Sequence, residues 1–270
     1  LAVVMGLDGK RVQFTPDLMP ADILGSEVLD HDNDGRRSFR FLPGPIFTQL
    51  LMADEINRAS PRTQSALLQA MQEYKVTTAG EDRPLAAPFH VLATQNPNEQ
   101  EGTYPLPEAQ LDRFLVQINM PYPDRATEHG ILLATTGLEQ DSAHAVFTPT
   151  TLIAAQELLR RIPVGESVVE FILDLVRALR PDDAEASDDI RDNVVWGPGP
   201  RAAQALVMTS RARALLAGRL APSIEDAVAM AHPVLAHRMS LGFAARARGE
   251  NLTELIDQTC QKIIGHEAAA

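Results

Sequence analysis

Leu50-Leu51-Met52-Ala53-Asp54-Glu55 is a short apolar run that ends in two acids. Such a run with a polar stop is typical of a strand buried in a parallel sheet. Acids directly after the strand lie at the carboxyl edge of the sheet, where open α/β folds bind ligands. There Asp54 can help to hold Mg²⁺, usually through water, and Glu55 can orient or deprotonate a water that attacks a terminal phosphate. A loop acid pair or a helix N-cap is the alternative interpretation.

Three polar residues elsewhere suit the same chemistry. Asn96 follows the apolar run 90–94, so its amide would lie at a second strand tip and could bond a water and a phosphate; a turn asparagine is the alternative. Arg113 precedes residues 114–118, whose alternation predicts another strand, and is either a solvated charge or an arginine finger for a neighbour's phosphates. Arg201 falls in the first turn of a predicted helix, where the helix dipole disfavours a cation, so it hints at an anionic partner.

The first half of the chain alternates strands with helices. Residues 11–14 alternate apolar and polar side chains, as a half-buried strand does. Ser60 and Pro61 suit the N-cap and first residue of a helix that lies between two strands. Strands that alternate with helices predict an α/β domain over residues 1–135.

After a predicted linker at 136–150, residues 151–270 read as an all-α domain. Strand patterns almost vanish there, and the last of five helical patterns ends before Gly265, a common C-cap residue. This half predicts a small helical bundle. The five patterns cover residues 151–162, 167–179, 201–217, 223–236 and 252–264.

Two metal-site patterns fail on inspection. Asp30-x-Asp32-x-Asp34-Gly35 matches the first half of an EF-hand loop, but Phe41 stands where the loop needs a bidentate carboxylate. Asp34-Gly35 between alternating residues instead predicts a hairpin turn. The seven histidines show no paired spacing for zinc, and we assign none of them a catalytic role.

Composition and charge argue against several classes of function. The 270 residues carry 24 basic and 36 acidic side chains, a net charge of −12. This charge argues against nucleic-acid binding, which depends on Lys and Arg. Only 5% of residues are aromatic, which disfavours a base-stacking surface. The single cysteine, Cys260, excludes an internal disulfide, and no apolar run reaches the ~20 residues that cross a bilayer. We therefore expect a cytoplasmic protein with no membrane partner.

Longer stretches are more specific than these short motifs. They are Gln13-Phe14-Thr15-Pro16-Asp17-Leu18-Met19-Pro20-Ala21-Asp22-Ile23, Gly44-Pro45-Ile46-Phe47, Ala53-Asp54-Glu55-Ile56-Asn57-Arg58-Ala59, Gln64-Ser65-Ala66-Leu67-Leu68, Ala93-Thr94-Gln95-Asn96-Pro97 and residues 99–110. Together they resemble the AAA+ ATPases, and specifically the MoxR family. The resemblance runs from about Val12 to Arg113 and more loosely to Ile264.

The resemblance implies a P-loop NTPase (AAA+) fold, an α/β core with a parallel sheet followed by a helical lid. It also implies a role for each candidate residue. In the family, the residue before the sensor 2 Pro-Arg pair looks like Ser, where this chain has Gly199. The implied roles are Walker B for Asp54 and Glu55, sensor 1 for Asn96, trans arginine finger for Arg113 and sensor 2 for Arg201.

The implied cofactors are ATP and Mg²⁺, and the implied assembly is a homo-oligomer, expected to be a hexameric ring. Implied partners are protein clients, among them proteins with a von Willebrand factor A domain. Residues 36–41 resemble the insert of this clade's second helix, and residues 76–89 its pre-sensor hairpin. Such inserts line the pore or face of a ring, and two plain surface hairpins are the alternative.

One expected motif is missing from the sequence. A P-loop ATPase needs Gly-x-x-x-x-Gly-Lys-Ser/Thr, whose backbone amides cradle the phosphates. The one Gly-Lys pair, Gly9-Lys10, is followed by Arg11, and Val4 stands where the first glycine should be. In the family this loop and its strand lie upstream of the segment that matches Leu1. We therefore expect an N-terminally incomplete chain whose α/β core lacks its first strand and P-loop.

The leading hypothesis is a ring-forming, ATP-hydrolysing chaperone-like protein that remodels or matures partner proteins. A non-hydrolysing scaffold that uses the AAA+ fold only for assembly is the alternative, and the missing P-loop supports it. A helicase-like nucleic-acid motor is the third hypothesis, which the charge disfavours.

Overall fold

The computed structural model describes residues 1–31, 37–96, 102–137 and 142–267. Its strands are β1 (Gly9–Gln13), β2 (Gly25–His31), β3 (Arg37–Pro43), β4 (Leu50–Asp54), β5 (Lys75–Thr78), β6 (Glu81–Pro84), β7 (His90–Ala93), β8 (Val194–Trp196) and β9 (Ser240–Leu241). Its helices are α1 (Ala2–Met5), α2 (Pro20–Leu24), α3 (Pro61–Glu73), α4 (Glu108–Leu111), α5 (Arg125–Thr136), α6 (Pro149–Arg161), α7 (Glu166–Ala178), α8 (Asp188–Asn193), α9 (Pro200–Leu216), α10 (Ile224–Leu235), α11 (Phe243–Ala247) and α12 (Leu252–Glu267).

The chain divides into two compact units. The first, which we call the α/β unit, holds residues 1–106 and 121–155, and the second, the lid unit, holds residues 107–120 and 156–270. The division falls inside α6, and residues 107–120 belong to the lid unit although they precede α5 in sequence. The domain boundaries expected from sequence, 1–135, 136–150 and 151–270, stay a prediction.

A three-stranded parallel sheet organises the α/β unit, with the order β1-β4-β7. Gln13 pairs in register with Asp54, and Ala53 with Ala93, so all three strands end at one edge. Leu50, Leu51 and Ala53 of β4 are buried, as their apolar run predicts. The sheet therefore brings the residues that follow its strands to a common edge.

Helix α3 follows the predicted start signals. Ser60 is its N-cap, with its hydroxyl accepting from the Thr63 N–H at 3.3 Å, and Pro61 is its first residue. The buried face includes Leu67, Leu68 and Ala70, and the helix packs against α2 and β5.

Two antiparallel hairpins also belong to this unit. β2 pairs with β3, and β5 pairs with β6, which confirms the hairpin predictions at 36–41 and 76–89. The predicted turn at Asp34-Gly35 and most of the EF-hand-like stretch lie outside the described residues.

The five helices predicted for the second half are present as α6, α7, α9, α10 and α12, each starting within two residues of its predicted position. Val168, Phe171, Ile172 and Leu175 recur at helical spacing on the buried face of α7. The end predicted at Gly265 is wrong, since α12 continues to Glu267. Glycine ends a helix by adopting a left-handed backbone, and Gly265 is not among the positive-φ glycines.

The strand predicted over Phe114, Val116 and Ile118 is also wrong, because the structure has no strand there. Among the described residues no strand lies beside this segment, so its backbone has no neighbour with which to form the hydrogen bonds of a sheet. Val116 instead packs against the lid core. Across the described ranges no helix is both long and apolar enough to span a membrane.

Candidate functional site

Asp54 ends β4 at the carboxyl edge of the sheet. Its Oδ1 accepts from the Thr94 hydroxyl at 2.8 Å, and its Oδ2 accepts from Arg11 Nε at 2.7 Å. The Thr94 hydrogen bond, followed by the Arg11 hydrogen bond, holds the pKa of Asp54 below its usual value. Asp54 is therefore an ionised carboxylate at neutral pH, with its side chain only 13% exposed.

Glu55 turns away from the strand direction. Its backbone is left-handed, with φ at 55°, a conformation that costs a non-glycine residue about 1–3 kcal/mol. Its N–H donates to the Thr94 hydroxyl at 2.9 Å, and the next N–H, of Ile56, donates to the Thr94 carbonyl at 3.0 Å. Thr94 therefore fixes the backbone that aims the Glu55 side chain.

Two donors from different elements hold the Glu55 carboxylate. Gln13 Nε2, at the end of β1, donates to Oε2 at 2.8 Å, and Arg58 Nη1 donates to the same oxygen at 3.1 Å. Arg58 belongs to a 3₁₀ turn, Ile56–Arg58, that follows Glu55 directly. The carboxylate is thus held at the sheet edge and remains 28% exposed.

Asn96 lies two residues beyond Thr94 and is half-buried. Because Thr94 follows β7, Asn96 continues the chain from the strand that neighbours β4. Residues 97–101, which hold the end of the Ala93–Pro97 stretch and the start of the 99–110 stretch, lie outside the described residues. The α/β unit thus holds Asp54, Glu55 and Asn96.

Arg113 and Arg201 belong to the lid unit. Arg113 lies in a turn directly after α4, and its side chain is exposed. Arg201 is the second residue of α9, after Pro200 at the first position, as predicted. The two arginines are linked through Asp112, which precedes Arg113 and whose Oδ2 lies 3.7 Å from Arg201 Nη1.

Several residues of these arrangements escaped the sequence argument. Arg11 and Gln13 are the polar positions of the alternating run on β1, and the parallel pairing puts them beside the acids that follow β4. Arg238 donates to Asp112 at 2.9 Å from a 3₁₀ turn after α10. The alternation of β1 was the sequence signal for Arg11 and Gln13. Arg238 and Asp112 are 126 residues apart and share no local pattern.

The carboxylates at the sheet edge suit Mg²⁺ only when phosphate oxygens complete its coordination shell. Among the described residues no cluster of three or more His, Cys, Asp or Glu side chains could hold a metal ion. Mg²⁺ that comes with a nucleotide needs one or two carboxylates, since phosphate oxygens and waters complete its shell. The ionised carboxylate of Asp54 meets that need, and its Arg11 partner is 72% exposed and weakly held.

Comparison with known proteins places this site in a family. The model of the ATPase family associated with various cellular activities (AAA) matches residues 1–116, and that of the AAA lid domain matches residues 187–259. The uncharacterised protein YeaC of Bacillus subtilis is 40% identical over 92% of this chain and 74% of its own length. Protein MoxR of Paracoccus denitrificans is 32% identical over 95% of this chain and 79% of its own.

The chain belongs to the MoxR family of AAA+ ATPases. Chaperone MoxR1 of Mycobacterium tuberculosis is 39% identical over 91% of this MoxR-family chain, which spans 64% of that relative's length. The crystal structure of a proposed ATPase from Cytophaga hutchinsonii superposes with a TM-score of 0.89 at 35% identity, over 97% of this chain and 78% of that one. The P-loop AAA+ fold, with a parallel-sheet domain and a helical lid, is confirmed.

Proposed function

We propose that the MoxR-family protein containing this chain hydrolyses ATP with Glu55 as the catalytic base. The observation that carries the proposal is the position of Asp54 and Glu55 at the end of β4, tied together by the Thr94 hydroxyl. Glu55 would orient the attacking water and accept its proton. Mg²⁺, held through water by Asp54, would neutralise charge on the phosphates.

The remaining candidates would act on the nucleotide from other positions. Asn96 as sensor 1 would donate its side-chain amide to the attacking water or the γ-phosphate. Arg201 as sensor 2 would bind phosphate from the lid. Arg113 would act as an arginine finger on the neighbouring subunit's nucleotide, which requires a ring, and we expect a hexamer.

The proposed outcome of hydrolysis is the remodelling or maturation of client proteins. One relative is named a chaperone, and clients with a von Willebrand factor A domain are the expected kind. The net charge of −12 favours protein clients over nucleic acid. A salt-dependent affinity for DNA would revive the motor hypothesis. We expect the protein to act in the cytoplasm.

The test is ATP hydrolysis by the full-length protein with Glu55→Gln. Loss of a general base lowers kcat by about 10²–10⁴-fold, and we expect ATP binding to be retained because the substitution keeps size and hydrogen-bonding atoms. Glu73→Gln, the same change at the exposed end of α3, serves as the control and should hydrolyse ATP normally. Phosphate release at saturating ATP is the measurement. A Glu55→Gln protein as fast as wild type would show that the catalytic assignment is wrong.

A non-hydrolysing scaffold is the second candidate function. In this hypothesis the AAA+ fold serves only for assembly. The scaffold hypothesis predicts that wild-type full-length protein assembles but releases no phosphate. The same assay therefore separates the two candidates.

A further inference from the structure

Arg238 is almost fully buried, at 2% side-chain exposure, in the 3₁₀ turn Ala236–Arg238. A buried guanidinium is rare in proteins unless it is paired, and desolvation lowers the pKa of Arg238. Burial of Arg238 must therefore be compensated by its hydrogen bonds, and their acceptors indicate what the residue does.

Most of its hydrogen bonds go to one short segment, residues 112–115, which we call the finger segment. Nε donates to Asp112 Oδ1 at 2.9 Å, and Nη2 donates to the carbonyls of Asp112 at 3.2 Å and Phe114 at 2.5 Å. Nη1 donates to the Leu115 carbonyl at 3.2 Å and to that of Val234 at 2.5 Å. A single planar guanidinium thus binds the finger segment on both sides of Arg113.

The N–H groups of Asp112, Arg113 and Phe114 donate to carbonyls of α4, whereas the carbonyls of the finger segment depend on other donors. The segment forms no strand, so the carbonyls of Asp112, Phe114 and Leu115 have no sheet partner. Carbonyls shielded from water need donors. Arg238 supplies them here, and the His237 ring nitrogen Nε2 is a second donor to the Phe114 carbonyl at 2.9 Å. Just beyond the segment, the Gln117 N–H donates to the Pro233 carbonyl at 2.7 Å, near the C-terminus of α10, where helix carbonyls lack intrahelical partners.

We propose that Arg238 is a positioning residue for Arg113. It fixes the backbone that presents the exposed Arg113 side chain, so it serves the nucleotide of the neighbouring subunit and not that of its own. This inference rests on the proposed function, in which Arg113 is an arginine finger in a ring.

A competing route runs through Asp112. Its Oδ1 accepts from Arg238, and its Oδ2 lies 3.7 Å from Arg201. Loss of Arg238 could thereby disturb Arg201, which is proposed to act on its own subunit's nucleotide. The two routes differ in which subunit is impaired, and this difference makes them separable.

The experiment mixes variants of the full-length protein in one ring. Arg238→Met and Arg113→Ala proteins are assayed for ATP hydrolysis alone and after mixing with an excess of Glu55→Gln protein, which has an intact finger segment and cannot hydrolyse ATP. Alone, Arg113→Ala should lose about 10³-fold or more in kcat. Arg238→Met should lose at least about tenfold, with KM changed less than about twofold, because ground-state binding is untouched. In mixed rings both variants should regain hydrolysis, since each can then receive a finger from its neighbour.

Two results would overturn the inference while leaving the proposed function intact. One is wild-type kcat for Arg238→Met beside an inactive Arg113→Ala. The other is rescue of Arg113→Ala but not of Arg238→Met by mixing, which would place the defect in the variant's own site. Activity of unmixed Arg113→Ala would instead overturn the finger assignment itself.

Two further variants separate positioning from folding. Arg238→Lys keeps the cation but cannot bond the segment's carbonyls from a planar fork, so it should fold and still lose kcat, and full activity would refute the proposal. Asp226→Asn breaks another ion pair of the lid unit, whose Asp226 carboxylate binds Arg219 at 2.6 Å. It should destabilise the lid yet keep kcat near wild type below its melting temperature.

Discussion

Two aspartate–arginine pairs serve opposite purposes in the two units. In the α/β unit, Arg11 pairs with Asp54 while its own side chain is 72% exposed. In the lid unit, Arg238 pairs with Asp112 while its side chain is 2% exposed. The aspartate side chains are similarly exposed, at 13% and 17%, so the two pairs differ in the exposure of their arginines.

The exposed arginine can leave its aspartate at little cost, because water solvates both charges. The buried one cannot, since its removal would take from the Asp112 carboxylate its nearest cation and from the Asp112 and Leu115 carbonyls their donor. A site that must accept a cation benefits from the first kind of pair. A segment that must hold one geometry benefits from the second.

The largest expected effect is the loss of stability of the lid unit when its buried pair is broken. Arg238→Met should lower the free energy of unfolding of the lid unit by about 3–5 kcal/mol, the usual cost of removing one partner of a buried pair. Trp196, the single tryptophan, lies in the lid unit, so its fluorescence in a urea titration measures this unit. A loss below about 1 kcal/mol would mean that the buried pair is no stronger than a surface one.

The second effect is a pH dependence of the stability of the lid unit, caused by His237 beside the buried Arg238. Burial lowers the pKa of His237 to about 4 and outweighs the opposing hydrogen bond that the ring donates to the Phe114 carbonyl. Because the unfolded pKa is about 6.5, the unfolded state binds more protons between these values. Stability is then full above about pH 6.5 and falls by about 3 kcal/mol as the pH drops toward 4.

The matched variant for this effect is His237→Gln, which removes the titrating group. Other acids also titrate in this range, so the difference between variant and wild type is the quantity to measure by tryptophan fluorescence at pH 7.5 and pH 5. The wild type should lose more stability than the variant on acidification. Equal losses would contradict a neutral, buried His237.

The smallest effect is expected from Arg11→Ala. This variant should change the free energy of unfolding by less than about 1 kcal/mol, as for other exposed pairs, and Lys75→Ala in the exposed pair with Asp82 is its control. Asp54 should stay ionised at neutral pH because Thr94 is the larger cause of its low pKa. Urea unfolding followed by circular dichroism is the measurement, and a loss above about 2 kcal/mol would mean that Arg11 is structural.

Local patterns in the sequence predicted those parts of the molecule whose causes are local. The apolar runs gave β4 and β7, and Ser60 with Pro61 gave the start of α3. The positions of Asp54 and Glu55 followed from the end of β4. Helical periodicity likewise placed the main lid helices.

What failed or was missed depends on distant partners. The alternation at 114–118 predicted a strand, but a strand needs a neighbour, and the segment binds Arg238 instead. The pairing of Arg11 with Asp54 follows only when β1 and β4 are known to be adjacent. Thr94 looked like the last residue of a strand, and its contact with both acids is set by the order of the sheet.

The bond between Arg238 and Asp112 has a consequence for the order in which a nascent chain matures. The ribosome adds about 5–20 residues per second, and 126 positions separate the two residues. Roughly 6–25 s therefore pass after Asp112 is made before its partner exists. The sheet edge with Asp54 and Glu55 can form while the lid is still being synthesised. A subunit thus completes the acids proposed for its own site well before the segment proposed to serve its neighbour.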